Sequence, residues 1–331
     1  MNKIRLGVDI SKETLDFYCD FTEEHFVLKN SHEGLKKLLS WQETHGFERS
    51  NLQIVFEYTG HYGHVLETFC VAQEFEYYKI PALAIKKSLG IVRGKNDRID
   101  AQRICIYLKE KGYRLQPSKP TNSNIQRLKI FQSQRALYVR QLAALKNAQK
   151  DLVAVMRLPL DDFPVKNNQC VMDCLEGQIK TIDDAIQQLI KEDTELYTNY
   201  SLITSVIGVA KVIGIDTLIA TDNFTKFKSW REYAAYCGCA PYPNQSGLFM
   251  GRNRISHLAN NELKAHLSSG AKSAMIHDPE LRSYTERKLL EGKSRKCITN
   301  SIRCKLISRM FAVVSKKRPF ERNYSHYLAV Q

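Results

Sequence analysis

"IRLGVDI", residues 4–10, decides how the chain is read. Ile4, Leu6, Val8 and Ile10 alternate with Arg5, Gly7 and Asp9, the period of a half-buried strand that carries a carboxylate near its end. Working outward, "TLDFYC" (14–19) and "EHFVL" (24–28) are short runs rich in β-formers joined by a tight polar link. Together these predict an antiparallel meander of three strands. "SHEGLKKLLSWQETHG" (31–46) has a helical period, with Ser31 placed to cap it and Gly46 past its end. "LQIVFE" (52–57) reads as a buried strand ending at Glu57, "HYGHVLETFCVAQ" as a helix and "FEYYKI" (75–80) as a fifth strand, with Pro81 as a stop. From Asp97 to Lys111 a helix fits again, closed by Gly112.

The order β-β-β-α-β-α-β-α is that of an α/β domain with a mixed sheet, the ribonuclease H arrangement, with helices on the sheet's faces. It places Asp9 in the first strand and Glu57 at the end of a neighbouring one. Asp97 and Asp100, in "KNDRIDAQRI" (95–104), face them from the last helix at a spacing that shares one helical face. Each acid alone reads as an ordinary surface residue. Four of them at the ends of sheet elements would repel one another unless cations intervene. Hard oxygen donors suit Mg²⁺, and two such ions about 4 Å apart can serve phosphodiester cleavage.

"QPSKPTNSN" (116–124) has the composition of a linker. A heptad-like register then runs through Leu128, Phe131, Arg135, Tyr138, Leu142, Leu145, Gln149, Leu152 and Met156, with Arg135 and Gln149 as polar breaks. After "LPLDDFP" a second helical pattern follows through Val171, Leu175, Gln178, Ile182 and Leu189. Two long helices in sequence predict an antiparallel arm, either an intramolecular hairpin or an oligomerisation element. From residue 200 the character changes, and the tail from 251 reads as helical, basic and short of acids. The expected division is 1–118, a catalytic α/β domain; 119–196, a helical arm; and 197–331, a mainly α-helical C-terminal domain.

The 331 residues carry a net charge of +14, and residues 246–331 hold 17 Lys and Arg against 6 Asp and Glu. A field of that sign favours nucleic acid or an anionic membrane. No basic helix there has a clean apolar face, so nucleic acid is the better fit. No apolar run approaches the roughly 20 residues of a membrane span, and Asp9, Lys12 and Glu13 come too early for a signal peptide. A cytoplasmic protein is expected. Nine cysteines without a C-x-x-C read as buried or idle thiols.

"GVDISKETLDFY", "FEYTGHYG" and "GKNDRIDAQRI" resemble the three N-terminal motifs of the DEDD insertion-sequence transposases, a family that includes Piv-type invertases and bridge-RNA-guided recombinases. "ITSVIGVAKVIGIDTLIA", "FKSWREYAAYCGCAPYPNQSG" and "GRNRISHLANNELKAHL" resemble the family's second conserved domain, so the likeness spans nearly the whole chain. The resemblance implies a RuvC-like N-terminal domain and puts the four acids on Asp9, Glu57, Asp97 and Asp100. It also implies a nucleophilic serine before a glycine, Ser246 of "PYPNQSG", with Ser256 as the rival. Departures are Ile207-Gly208 and Ala210 where the family has Pro-Gly and a second glycine, and Ala259 where a glycine is common.

On this reading the carboxylates hold Mg²⁺, with Mn²⁺ as a substitute, and Ser246 attacks a DNA phosphate to form a phosphoserine link. Phosphate-holding candidates are Lys95, Arg98, Arg103, Gly208, Lys211, Arg252, Arg254, Lys264, Arg295, Lys296 and Arg303. At Gly208, core packing is the competing account. The resemblance further implies double-stranded DNA at element ends and target, a structured guide RNA that supplies base pairing, and a homo-oligomer of two or four subunits. The alternative is a Mg²⁺-dependent structure-selective endonuclease of junction-resolvase type, which needs the carboxylates and no serine.

Overall fold

The computed structural model describes residues 3–58, 60–88, 96–120, 122–246, 249–256 and 258–321, with the side chains of Phe249, Arg252 and Asn253 left out. Lys95 lies outside the described residues. The chain forms two compact units, Met1–Pro120 and Thr121–Gln331.

In the first unit β1 (Ile4–Ile10), β2 (Thr14–Cys19) and β3 (His25–Lys29) form the expected meander. Then come α1 (His32–Thr44), β4 (Leu52–Glu57), α2 (His64–Ala72), β5 (Glu76–Ile80), α3 (Ala82–Ser88) and α4 (Asp97–Lys111). The sheet order is β3-β2-β1-β4-β5. The meander pairs are antiparallel, and β1–β4 and β4–β5 are parallel, so the sheet is mixed. Both faces are covered, which is what parallel strands require. Leu6, Val8, Leu15 and Ile54 pack with Leu35 and Leu38 of α1 and Leu66 and Phe69 of α2. On the other face Val55, Tyr78 and Ile80 meet Ile85 of α3 and Ile104 and Leu108 of α4. Pro81 stops β5 as expected, and its carbonyl accepts the Ala84 N–H at 2.8 Å at the opening of α3. A fixed proline φ suits a helix start as well as a break.

Gly7 sets how close α4 comes. A Cβ there would collide with the Ala101 carbonyl and the Cys105 backbone nitrogen. The bare backbone lets α4 lie directly on β1, and the Cys105 thiol donates to the Arg5 carbonyl at 3.4 Å. Asn96 caps the helix by accepting the Ile99 N–H at 2.8 Å.

The second unit is mostly helical. α5 (Ser123–Ala154) and α6 (Phe163–Glu192) form a long antiparallel hairpin. The polar breaks of the register are matched across it, Arg135 Nε to Asp183 at 2.6 Å and Gln149 to Gln169 at 3.1 Å. Met156 is not part of the register: α5 ends at Ala154 and Met156 is exposed. Ile125, Leu128, Ile186 and Leu189, at the base of the hairpin, share one core with Leu218, Tyr233, Leu267, Ile302 and Leu306. Those residues come from α8 (Lys211–Thr221), α9 (Trp230–Tyr236), α10 (Asn261–His277) and α12 (Arg295–Lys316); α7 (Thr194–Thr204) and α11 (Pro279–Leu290) complete the unit. Asp216 of α8 ties the hairpin down, accepting from Gln132 at 2.7 Å and pairing with His266 of α10 at 2.5 Å.

The reading of the tail from 251 as helical is corrected. β6 (Pro241–Ser246) and β7 (Phe249–Ile255) form a two-stranded antiparallel sheet, and helix resumes only at Asn261. Pro241 and Pro243 lie in this lone two-stranded ribbon, where every strand is an edge that tolerates proline. Among the described residues no helix is long and apolar enough to cross a membrane. All nine cysteines are unbridged.

Gly7→Val is expected to push α4 off β1 and to cost about 1–3 kcal/mol or more, the usual range for overpacking. Urea denaturation of variant and parent measures this, and equal midpoints and slopes would refute the close-approach argument.

Candidate active site

Val8 pairs with Phe56 in parallel register, so Asp9 and Glu57, the next residues on neighbouring strands, stand side by side. Side chains alternate along a strand. Asp9 therefore shares the face of Gly7, and Glu57 that of Val55, which is the face that α4 covers. Asp97 and Asp100 occupy the first turn of α4. Acids there are favoured by the helix's positive end, which offsets part of the repulsion between them.

The consequence is felt at Asp9. Burial, then the charges of Asp100 and Asp97, and more weakly Glu57, push its carboxyl up to about 6, against the opposing hydrogen bond from the Ile10 N–H. Asp100, Asp97 and Glu57 thus all act on Asp9. The donors are all hard carboxylate oxygens, the set that Mg²⁺ takes, and their mutual repulsion is what a divalent cation would relieve. Among the described residues no three acids, histidines or cysteines are gathered tightly enough to enclose an ion. The four stand as neighbours rather than as a closed cage.

Two details went unread in the sequence. Asp16 pairs directly with Asp9 across β1–β2, is buried, and meets His25 Nε2 at 3.0 Å. The alternation in "TLDFYC" together with the tight link before it was the signal for this fifth acid. Arg103, expected to hold phosphate, is committed to Asp100 at 2.8 Å. Arg98 is exposed on the same helix.

In the second unit Ser246 ends β6, exposed, opposite Phe249. Its rival Ser256 accepts the Leu258 N–H at 3.1 Å and so has a local structural task. The foot of the β6–β7 hairpin is pinned to α12: the Cys239 carbonyl accepts from Asn300 Nδ2 at 2.8 Å and from the Cys304 thiol at 3.4 Å. Arg303 donates to Asn300 at 3.2 Å. Burial pushes the Cys239 thiol up, with Arg303 and Lys264 opposing, so both of these cations lie at the hairpin's foot. Asn300 was not anticipated, because a long-range bond to a carbonyl leaves no pattern in sequence.

Arg254 is exposed on β7, which also carries Arg252, while Lys211, Arg295 and Lys296 are exposed at the starts of α8 and α12. Gly208 has φ +93°, and a Cβ there would meet the Gly270 carbonyl at 2.6 Å and Ala274 Cβ at 2.8 Å. Packing against α10 is sufficient reason for that glycine.

Two family models match the chain. One, described as a transposase of the DEDD type, covers residues 6–156. The other, a transposase of the IS116/IS110/IS902 family, covers residues 200–286. The first span contains all four clustered acids and the second contains the hairpin. The chain belongs to the DEDD insertion-sequence transposases. It is similar to a pilin gene-inverting protein of Moraxella bovis, 29% identical over 97% of this chain and 99% of that one. It is similar to the Moraxella lacunata pilin gene-inverting protein at 28% identity over the same shares. A protein of insertion element IS116 from Streptomyces clavuligerus is 24% identical over 44% of this chain and 36% of its own length. Activity of the transposase and DNA-invertase class follows from this membership.

In this transposase the crowding at Asp9 makes a stability prediction. An acid whose folded pKa is raised favours folding while protonated. Its contribution therefore falls as pH rises from about 4 through about 6, and the penalty is full above that. Asp9→Asn is expected to raise the melting temperature in EDTA at pH 7.5 by about 2–4 °C, on the order of 1 kcal/mol after discounting for solvent screening. Mg²⁺ or Mn²⁺ should raise the parent's melting temperature and not the variant's, as read by differential scanning fluorimetry.

Proposed function

We propose that this transposase cuts and rejoins DNA through a covalent phosphoserine intermediate, with divalent metal held by Asp9, Glu57, Asp97 and Asp100. The observation that carries the reading is the raised carboxyl of Asp9 among three other acids. The strand order of the first unit supports a RuvC-like catalytic domain at 1–118. Bound at the carboxylates, Mg²⁺ would supply positive charge for the attacking and leaving oxygens.

The chain's own residues do the rest. Ser246 Oγ loses its proton as it attacks a phosphorus atom. A serine–phosphate ester forms, the phosphodiester bond breaks, and the displaced strand leaves as a sugar hydroxyl. The ester keeps the energy of the broken bond, so attack by another strand's hydroxyl reseals DNA and frees the serine without ATP. The exposure of Ser246 and the pinned foot of its hairpin suit a hydroxyl that must reach a bulky substrate.

The segment 119–196 serves as a coiled-coil arm in a homo-oligomer, and 197–331 as the serine-bearing domain. Ile130, Leu137 and Val139 on α5 and Val155, Met156, Leu160 and Phe163 about its tip are exposed, an apolar surface of the kind that protein contacts cover. The substrate is double-stranded DNA in the cytoplasm, rearranged by transposition or, as in the gene-inverting relatives, by inversion. Exposed cations such as Lys211, Arg254, Arg295 and Lys296 hold phosphates and do not choose sequence. Choice of site falls to a structured guide RNA, the partner that the resemblance implies.

The test uses DNA bearing the element ends, Mg²⁺, and the RNA transcribed from the element's flanks. A protein–DNA adduct surviving denaturation is expected, and Ser246→Ala and Asp97→Ala should each abolish it. Cleavage without any adduct, unchanged in Ser246→Ala, would instead identify a junction-type endonuclease.

A further inference from the structure

Tyr284 of α11 is half-buried against the core of the second unit, and three cations surround its ring. Lys305 Nζ lies 4.7 Å from the ring centroid, the Arg287 guanidinium 5.7 Å and Lys288 Nζ 5.9 Å. Tyr284, Lys288, Lys293, Cys297, Ile298 and Ser301 line a cleft of about 90 Å³ between α11 and the start of α12. That is about three times the share of one water molecule, room for a phosphate group.

The charge balance here is one-sided. Arg282–Arg309 holds nine Lys and Arg against two Asp and Glu. Of those two acids, Glu291 takes Lys288 at 2.6 Å and Arg287 at 3.9 Å. Glu291 also feels Lys293, and among the described residues no carboxylate forms an ion pair with Arg295, Lys296 or half-buried Lys305. Gathering more cations than carboxylates about one cleft costs repulsion that a bound anion removes. The ring holds the cations in place by its quadrupole.

We propose that this cleft, lined by Lys288 and Lys293 and with Lys305 over the Tyr284 ring beside it, is a binding site for the phosphodiester backbone of duplex DNA. It rests on the reading of the protein as a DNA recombinase and adds a holding site distinct from the residues of the chemistry. Single-stranded nucleic acid is bound by aromatic faces open to stacking bases. Here the ring is beset by cations, so it serves as a pedestal for charge, and contact with phosphates alone fits duplex DNA.

The experiment measures binding of the full chain to a fluorescently labelled random-sequence duplex across a KCl series. The triple variant Lys288→Gln, Lys293→Gln, Lys305→Gln should show a log K against log salt slope shallower by about 2–3 than the parent, near 0.9 per lost contact. Lys150→Gln with Lys166→Gln, on the helical hairpin, removes charge elsewhere and should leave the slope unchanged. If the triple variant fails to fold by circular dichroism, Lys305→Gln alone should lower the slope by about 1. An unchanged slope in a folded variant, with the parent binding normally, overturns the site and leaves the recombinase reading standing. Loss confined to single-stranded RNA overturns it in favour of an RNA site. A parent that binds no duplex at any salt overturns both.

Discussion

Four carboxylates share a small volume only if something else holds their backbones together. Here that hold is the contact of β1 with α4 at Gly7. Without a side chain at Gly7 the helix settles on the strand, with Ala101 and Cys105 in direct backbone contact. Asp97 and Asp100 then sit one turn toward the helix start, near the end of β1 where Asp9 lies. The buried apolar residues Val55, Ile104 and Leu108 supply the favourable energy that keeps this arrangement against its own repulsion. Helix polarity and Arg103 help, the one by placing positive charge at the first turn, the other by pairing with Asp100. The acids remain strained enough that Asp9 resists ionising.

That the acids would meet was legible because periodicity 2 and periodicity 3.6 both constrain faces. Once β1, β4 and α4 were located, alternation fixed which face Asp9 and Glu57 take, and the i, i+3 spacing fixed the side shared by Asp97 and Asp100. Asp16 escaped notice for a related reason. Its place opposite Asp9 depends on the exact register of the β1–β2 hairpin, which a one-residue change in the link would flip to the other face.

The second unit was less legible. β6–β7 carries two prolines and basic residues, and none of its described side chains is buried, so neither alternation nor a helical period marks it. The basic composition after 251 was therefore extended back over a strand. Asn300 and Cys304 act on a carbonyl more than sixty residues away, and backbone acceptors look alike in any sequence. Lys264 and Arg303 are basic residues whose charge is used at the foot of a hairpin, which composition cannot distinguish from an exposed phosphate contact.

An acid cluster in a protein of net charge +14 presents a further physical problem, since its substrate is a polyanion. At physiological salt, charges are screened beyond about 8 Å. A net positive charge summed over the chain is therefore no substitute for positive charge placed directly against Asp9, Glu57, Asp97 and Asp100. Phosphate would be repelled from that spot unless its charge were countered within a few ångströms. Local positive charge, from a bound divalent cation, is the compact way to reconcile four carboxylates with a phosphodiester. That requirement, more than any single acid, makes the crowding at Asp9 intelligible as a site rather than as a flaw in the fold.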